Sequence, residues 1–188
     1  MAKIKLNAAS GGGSVAFEGP ASLGSDKVIK FPNSPNVPIQ TIHKDYRAFF
    51  STAALIPLDD TIPQNTEGAE VFTQAITPTA TSSKILITVV LNIANDNASN
   101  LHVAALFRDS VANAIAAGWA KTISANAPNS PMVINFLDSP STTSAVTYKV
   151  RIGYSANSAS TVQVNGGSGA RYLGGALASG MTLMEISA

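Results

Sequence analysis

The chain has 188 residues and a net charge of +1, with 45% hydrophobic residues but only 12% charged ones. That length suits one ordinary domain plus an arm, and the charge share is about half the ~25% typical of soluble proteins, which favours a surface packed against copies of itself over a free monomer. The absence of cysteine excludes disulfides, thiolate metal sites and a cysteine nucleophile, and the lack of any basic cluster beyond Lys3 with Lys5 and Lys44 with Arg47 argues against nucleic-acid binding.

Residues 1–42 differ in character from the rest of the chain. Gly11-Gly12-Gly13, Gly19-Pro20, Pro32, Pro35 and Pro38 interrupt short strand-like pieces at 3–6, 14–17 and 27–31. Proline removes a backbone donor and glycine loosens the chain, so the segment reads as an extended arm with short strands. The first residues carry lysines but no apolar core region, which predicts no signal peptide. No apolar run approaches the ~18 residues of a membrane span.

From Tyr46 onward the pattern is β. In residues 84–94, Ile85, Ile87, Val89, Leu91 and Ile93 share one face with period two, as a strand requires. The opposite face, with Leu86, Thr88, Val90, Asn92 and Ala94, is itself half apolar. In residues 145–155, Val146, Tyr148, Val150, Ile152 and Tyr154 face one way and Thr147, Lys149, Arg151 and Gly153 the other, which predicts one wet face. Further strands are predicted at 71–76, 101–107, 131–137, 160–164 and 181–186. Segment 111–119 fits two periods: Val111, Ile115 and Trp119 repeat every four residues, while Ile115, Ala117 and Trp119 alternate. Gly118 disfavours a helix, so a strand is predicted. Short strands at this spacing, separated by turn-rich segments, point to a sandwich or jelly roll.

Little in the sequence signals chemistry. Two histidines, His43 and His102, lack the spacing of a zinc site. Asp59-Asp60 lies in a loop between prolines, and adjacent residues of an extended segment point apart, unlike a glycosidase pair. No Gly-x-Ser-x-Gly elbow occurs, and Gly166-Gly167-Ser168-Gly169 reads as a turn between strands. Trp119, Tyr148, Tyr154 and Tyr172 are the aromatics open to a stacking role. Arg108-Asp109, at a strand end, is the best-placed loop pair, available to a ligand or to each other.

The run Ala9-Ser10-Gly11-Gly12-Gly13-Ser14-Val15-Ala16-Phe17-Glu18-Gly19-Pro20-Ala21-Ser22, followed by Val28-Ile29-Lys30-Phe31-Pro32, resembles an attachment module of tailed-phage fibre and virion proteins. Residues 55–185 resemble a β-sandwich module of marine and cyanobacterial phage proteins, itself similar to trimeric tumour-necrosis-factor-like jelly rolls. The matching pieces are Ile56-Pro57-Leu58-Asp59-Asp60-Thr61-Ile62-Pro63 with Thr66-Glu67-Gly68, Ser82-Ser83-Lys84-Ile85-Leu86-Ile87, Ala117-Gly118-Trp119-Ala120, Tyr148-Lys149-Val150-Arg151-Ile152 and Leu183-Met184-Glu185-Ile186. The resemblance implies attachment through the arm, at Gly11, Gly12, Gly13, Val15, Phe17 and Pro20.

The expectation is therefore all-β: an extended, short-stranded N-terminal arm over residues 1–42 and a jelly-roll-like β-sandwich over 46–188. The expected function is structural, as a homotrimeric fibre or appendage of a tailed-phage particle, assembled in the host cytoplasm. Its expected partners are copies of itself, other tail, baseplate or capsid proteins, and a host-surface glycan. A capsid decoration or cement protein is the alternative, and a carbohydrate-active enzyme the outsider. No catalytic residue, cofactor, metal, nucleic acid or membrane insertion is expected.

Overall fold

A computed structural model of the chain describes residues 36–96, 100–122, 131–155 and 160–187, together with the backbone of two strands nearer the N-terminus. These two, β1 (Lys3–Asn7) and β2 (Ser14–Glu18), form an antiparallel hairpin. They belong to a separate compact unit, Met1–Ser34; the second unit is Pro35–Ala188. The strand expected at 27–31 lies outside the described residues.

The second unit is built on period-two alternation. Its strands are β3 (Pro38–Tyr46), β4 (Phe50–Thr52), β5 (Ala69–Ile76), β6 (Lys84–Leu91), β7 (Ile93–Asn95) and β8 (Leu101–Arg108). Then come β9 (Ala116–Lys121), β10 (Met132–Asp138), β11 (Val146–Tyr154), β12 (Val162–Val164), β13 (Gly166–Gly167), β14 (Ala170–Arg171) and β15 (Ser179–Ile186). Ile85, Ile87, Val89 and Leu91 of β6 and Val146, Tyr148, Val150 and Ile152 of β11 are all buried. They meet between two four-stranded sheets, β10-β6-β15-β3 and β5-β11-β8-β9. Met181 and Leu183 from β15, Ala104 and Leu106 from β8, and Phe72 and Ile76 from β5 complete this core. Burying each large aliphatic side chain is worth about 1.5–3 kcal/mol relative to exposure.

The pairing is nested. The first long strand, β3, pairs with the last, β15; β5 pairs with β11, β6 with β10, and β8 with β9, all antiparallel. Two further pairings, β15 with β6 and β11 with β8, roll this single long hairpin into two sheets. That is a jelly roll. Antiparallel alternation puts the strand ends that border residues 47–68, 92–100, 122–131 and 155–178 at one end of the sandwich. The connections at the other end, 77–83, 109–115 and 139–145, have seven residues each. The longer connections carry a small sheet, β4-β12-β7, and the hairpin β13-β14. That hairpin turns through Ser168 and Gly169, both at positive φ, so the predicted turn at 166–169 is present.

Two expectations change. The boundary placed between residues 42 and 46 falls inside β3, whose Ile42 and Tyr46 pack on the main core. The prolines at 35 and 38 had suggested an arm. Pro38 instead starts a strand on the sheet edge, where its missing donor costs no ladder bond. The continuous strand expected over 84–94 is broken at Asn92. The Asn92 amide donates to Ser179 Oγ (2.9 Å) and its side chain to Ala178 O, while Ser179 Oγ donates to Asn165 Oδ1 (2.8 Å). Asn165 in turn donates to Tyr46 O and Ala48 O. A buried polar network of this kind fixes the chain only when every member is satisfied.

The two outer faces are treated differently. Over β8, a strap formed by residues 53–68 covers Val103, Ala105 and Phe107 with Ile56. On the other sheet the outward side chains run in cross-strand rows: Val133 with Val90, Asn135 with Thr88 and Thr182, Leu137 with Leu86 and Met184. Val133 and Leu137 are 55% and 47% exposed, and Leu86, Val90 and Met184 are half-buried.

Candidate functional site

The strap is held down by backbone hydrogen bonds: Ile56 N to Tyr154 O (2.9 Å), Asn65 N to Ala112 O (2.7 Å) and Ala114 N to Pro63 O (2.9 Å). It lies so close to β11 that a Cβ on Gly153 would sit 2.7 Å from Ile56 N, which explains the glycine in an otherwise regular strand. Pro57 and Pro63 bracket the stretch above β9 and prevent it from adding as a strand. Within it, Asp59 Oδ1 accepts from both the backbone N (2.8 Å) and the hydroxyl of Thr61. These two bonds hold the Asp59 carboxyl below its usual range.

Beside this stretch, β9 presents Ala117, Trp119 and Lys121 outward. Trp119 is the one tryptophan in the chain and is 59% exposed. Two open hollows flank the strap. One, of about 220 Å³, is lined by Pro57, Leu58, Asp59, Thr61, Val103 and Trp119 among others. The second, of about 320 Å³, runs from Asp59 and Asp60 to Ala114 and Ala117. They share Asp59, Thr61, Pro63 and Ala117, so they form one trough along β9. No basic side chain lines either hollow among the described residues.

Arg108 and Asp109, singled out in the sequence, do not pair with each other. Arg108 Nη1 donates to both carboxylate oxygens of Asp138 (2.9 and 3.0 Å), and Tyr148 Oη donates to Asp138 Oδ2 (2.7 Å). Asp109, at φ 52°, accepts from Thr147 N (2.7 Å). Arg108 and Tyr148 come from one sheet and Asp138 from the other, so the trio clamps the two sheets at the end with the short connections. Burial and the bond to Asp138 push the Tyr148 hydroxyl well above its ordinary value, so it remains a donor throughout the physiological range. Asp138→Ala leaves a buried hydroxyl without its acceptor and is expected to cost about 2 kcal/mol in urea unfolding. Combined with Tyr148→Phe, the loss should be smaller than the sum, because the two act through one bond.

The other candidates scatter. Val15 pairs with Leu6 and Phe17 with Ile4 in the β1–β2 hairpin, while Gly11, Gly12, Gly13 and Pro20 lie outside the described residues. His43 Nδ1 lies 3.0 Å from Thr182 Oγ1 on the bare outer face. His102 is fully buried on the core face of β8, with neither ring nitrogen hydrogen-bonded. The two histidines therefore do not converge, and no group of three or more His, Asp or Glu side chains among the described residues could hold a metal. Tyr148 is buried and Tyr154 and Tyr172 are partly buried, so of the four aromatics only Trp119 is widely open. The partners Asp138 and Leu58 escaped sequence reading because nothing local marks a residue that functions across two sheets or beside a strap.

No protein-family model matches the sequence, and no curated protein matches it. Among solved structures, the chain is similar to the infectious bursal disease virus Gx strain structure, at TM-score 0.38 and 16% identity over 97% of this chain. It is likewise similar to the VP2 subviral particle of infectious bursal disease virus, at TM-score 0.37 and 14% identity over 97% of this chain. A third likeness is to the T13 particle of the same virus, at TM-score 0.35 and 12% identity over 93% of this chain. The chain spans less than half the length of these proteins, 44%, 46% and 42% respectively.

Proposed function

We propose that the chain is a structural subunit of a virus particle that assembles with copies of itself. The observation that carries this is the outer face of sheet β10-β6-β15-β3, uncovered among the described residues, with Val133, Val90, Leu137, Leu86 and Met184 around a polar row of Asn135, Thr88 and Thr182. A monomer with so little charge leaves such a face poorly hydrated. Four strands ~4.8 Å apart, with about six residues at ~3.4 Å each, give a face of roughly 400 Å². A stable interface takes ~800 Å² per partner, so the loops or the arm supply the remainder. The jelly roll recurs in viral capsid proteins and in unrelated binding proteins, and fold alone does not select a function.

The finer reading is an appendage of a tailed-phage particle, non-catalytic, attached through residues 1–34 and presenting the sandwich outward to a host receptor. Its support is the resemblance of residues 9–22 to the attachment module of phage fibre proteins. Immunogold labelling of particles tests it: label on tails supports the appendage, label on heads supports the decoration protein, and no label refutes both. Light scattering of purified protein at low micromolar concentration is expected to give a mass three times the single chain of 19.3 kDa. A stable single-chain mass refutes self-assembly.

A further inference from the structure

The geometry points to the trough along β9 as a binding site for a neutral, hydroxyl-rich saccharide, with Trp119 as the stacking platform and Asp59 and Thr61 as the polar wall. The platform is the first support. An indole ring left 59% exposed on an outward strand position keeps a large apolar surface in water, a cost that an interaction removes. Trp119 also stands beside an apolar neighbour, Leu58, which is 42% exposed, and above Val103. A pyranose ring offers the complement: one face of C–H groups for the indole and a rim of hydroxyls.

The wall is the second support. Asp59 Oδ1 is engaged by Thr61, which fixes the carboxylate, and Asp59 lines both hollows. A preset carboxylate oxygen accepts strongly from a hydroxyl, and presetting reduces the ordering cost on binding. The shape is the third. The trough is open and runs from Ala114 past Asp59 to Trp119. An open trough suits a linear chain better than a small enclosed ligand.

Charge decides the class. Asp59 and Asp60 lie on the wall, and no basic side chain lines it among the described residues. An acidic polysaccharide would be repelled, and so would a second copy of the same face, which would bring four carboxylates together. This inference rests on the outward-facing role proposed for the sandwich. It is measured on the purified chain, so its failure leaves the particle labelling to be judged separately.

Because Trp119 is the one tryptophan, emission excited at 295 nm reports on the site directly. Titration with neutral gluco-, manno- and galacto-oligosaccharides should give a saturable blue shift with at least one series. Trp119→Ala should weaken retention in affinity gels containing that polysaccharide at least tenfold. Asp59→Asn should weaken it severalfold, with the melt of both variants unchanged. A polyuronate should give no shift. The proposal is overturned if no neutral series shifts the emission, or if Trp119→Ala binds as well as the parent. It is also overturned if Trp119→Ala lowers the mass in light scattering, which would make the ring a subunit contact.

Discussion

A chain beginning at Pro35 should melt cooperatively, whereas one beginning at Arg47 should lose its cooperative melt. The difference is β3. Removing it strips Ile42 and Tyr46 from the core, including the Tyr46 ring 5.3 Å from Phe72. It takes the Gln40 amide from the buried Glu185 carboxylate and the Tyr46 carbonyl from Asn165. It also bares the length of β15, an edge with unpaired backbone groups. Two partly buried side chains at about half the 1.5–3 kcal/mol of full burial, two part-buried hydrogen bonds at about 1 kcal/mol each and the lost ladder against β15 together make roughly 5 kcal/mol. That equals the lower end of total stability for a domain. Circular dichroism melts of the two truncated chains decide the matter, and equal cooperative melts would show that β3 is dispensable.

Acid should weaken the fold in two windows, the upper one set by His102. Burial lowers the His102 pKa from 6.5 to about 4. The folded state thus keeps the ring neutral where the unfolded chain takes up a proton. The stabilisation is fully present above pH 6.5 and is lost as pH falls towards 4, by about 2 kcal/mol at pH 5 and about 3 kcal/mol at the end of the window. Glu185 acts in a second, lower window. Burial opposes its ionisation, but the carboxylate accepts from Gln40 Nε2 (2.6 Å), Thr79 N and Thr79 Oγ1 (2.7 Å each), and its pKa falls from 4.5 to about 2. Its contribution is present above pH 4.5 and is lost below it. His102→Leu removes the first window. It also replaces an unpartnered polar ring by an apolar side chain, a gain of about 1 kcal/mol at pH 7. Urea midpoints at pH 7, 5.5 and 4.5 check both statements; a parent protein with equal midpoints at pH 7 and 4.5 would falsify the burial account.

Strands with a strict inner face were legible because burial writes itself into the sequence with period two. Ile85, Ile87, Val89 and Leu91 did so, as did Val146, Tyr148, Val150 and Ile152. β3 was not legible. It is an edge strand with Thr41, His43 and Asp45 outward and only Ile42 and Tyr46 packed on the core, so its pattern is diluted and its proline reads as a breaker. Segment 111–119 was ambiguous because it is half loop and half strand: Ala114 and Ile115 belong to a connection and β9 begins at Ala116. The second apolar face of β6 was visible in Leu86 and Val90, and it lies on the bare side of the sandwich. Of the site, Trp119 could be named from sequence as an aromatic open to stacking. The strap that gives it a wall could not, because only the fold brings residues 57–63 over β9.

The nested pairing also bears on how the chain is made. β15 lies between β3 and β6, so until residues 179–186 have left the ribosome that sheet exists only as two separate pieces. β11, central in the other sheet, likewise emerges after β5, β8 and β9. Neither layer can close before its central strand has emerged, and the nascent chain must hold its apolar strands apart until then. Pairing between distant segments is slow, and unpaired edges invite association. With only 12% charged residues, the newborn chain has little repulsion to oppose that association.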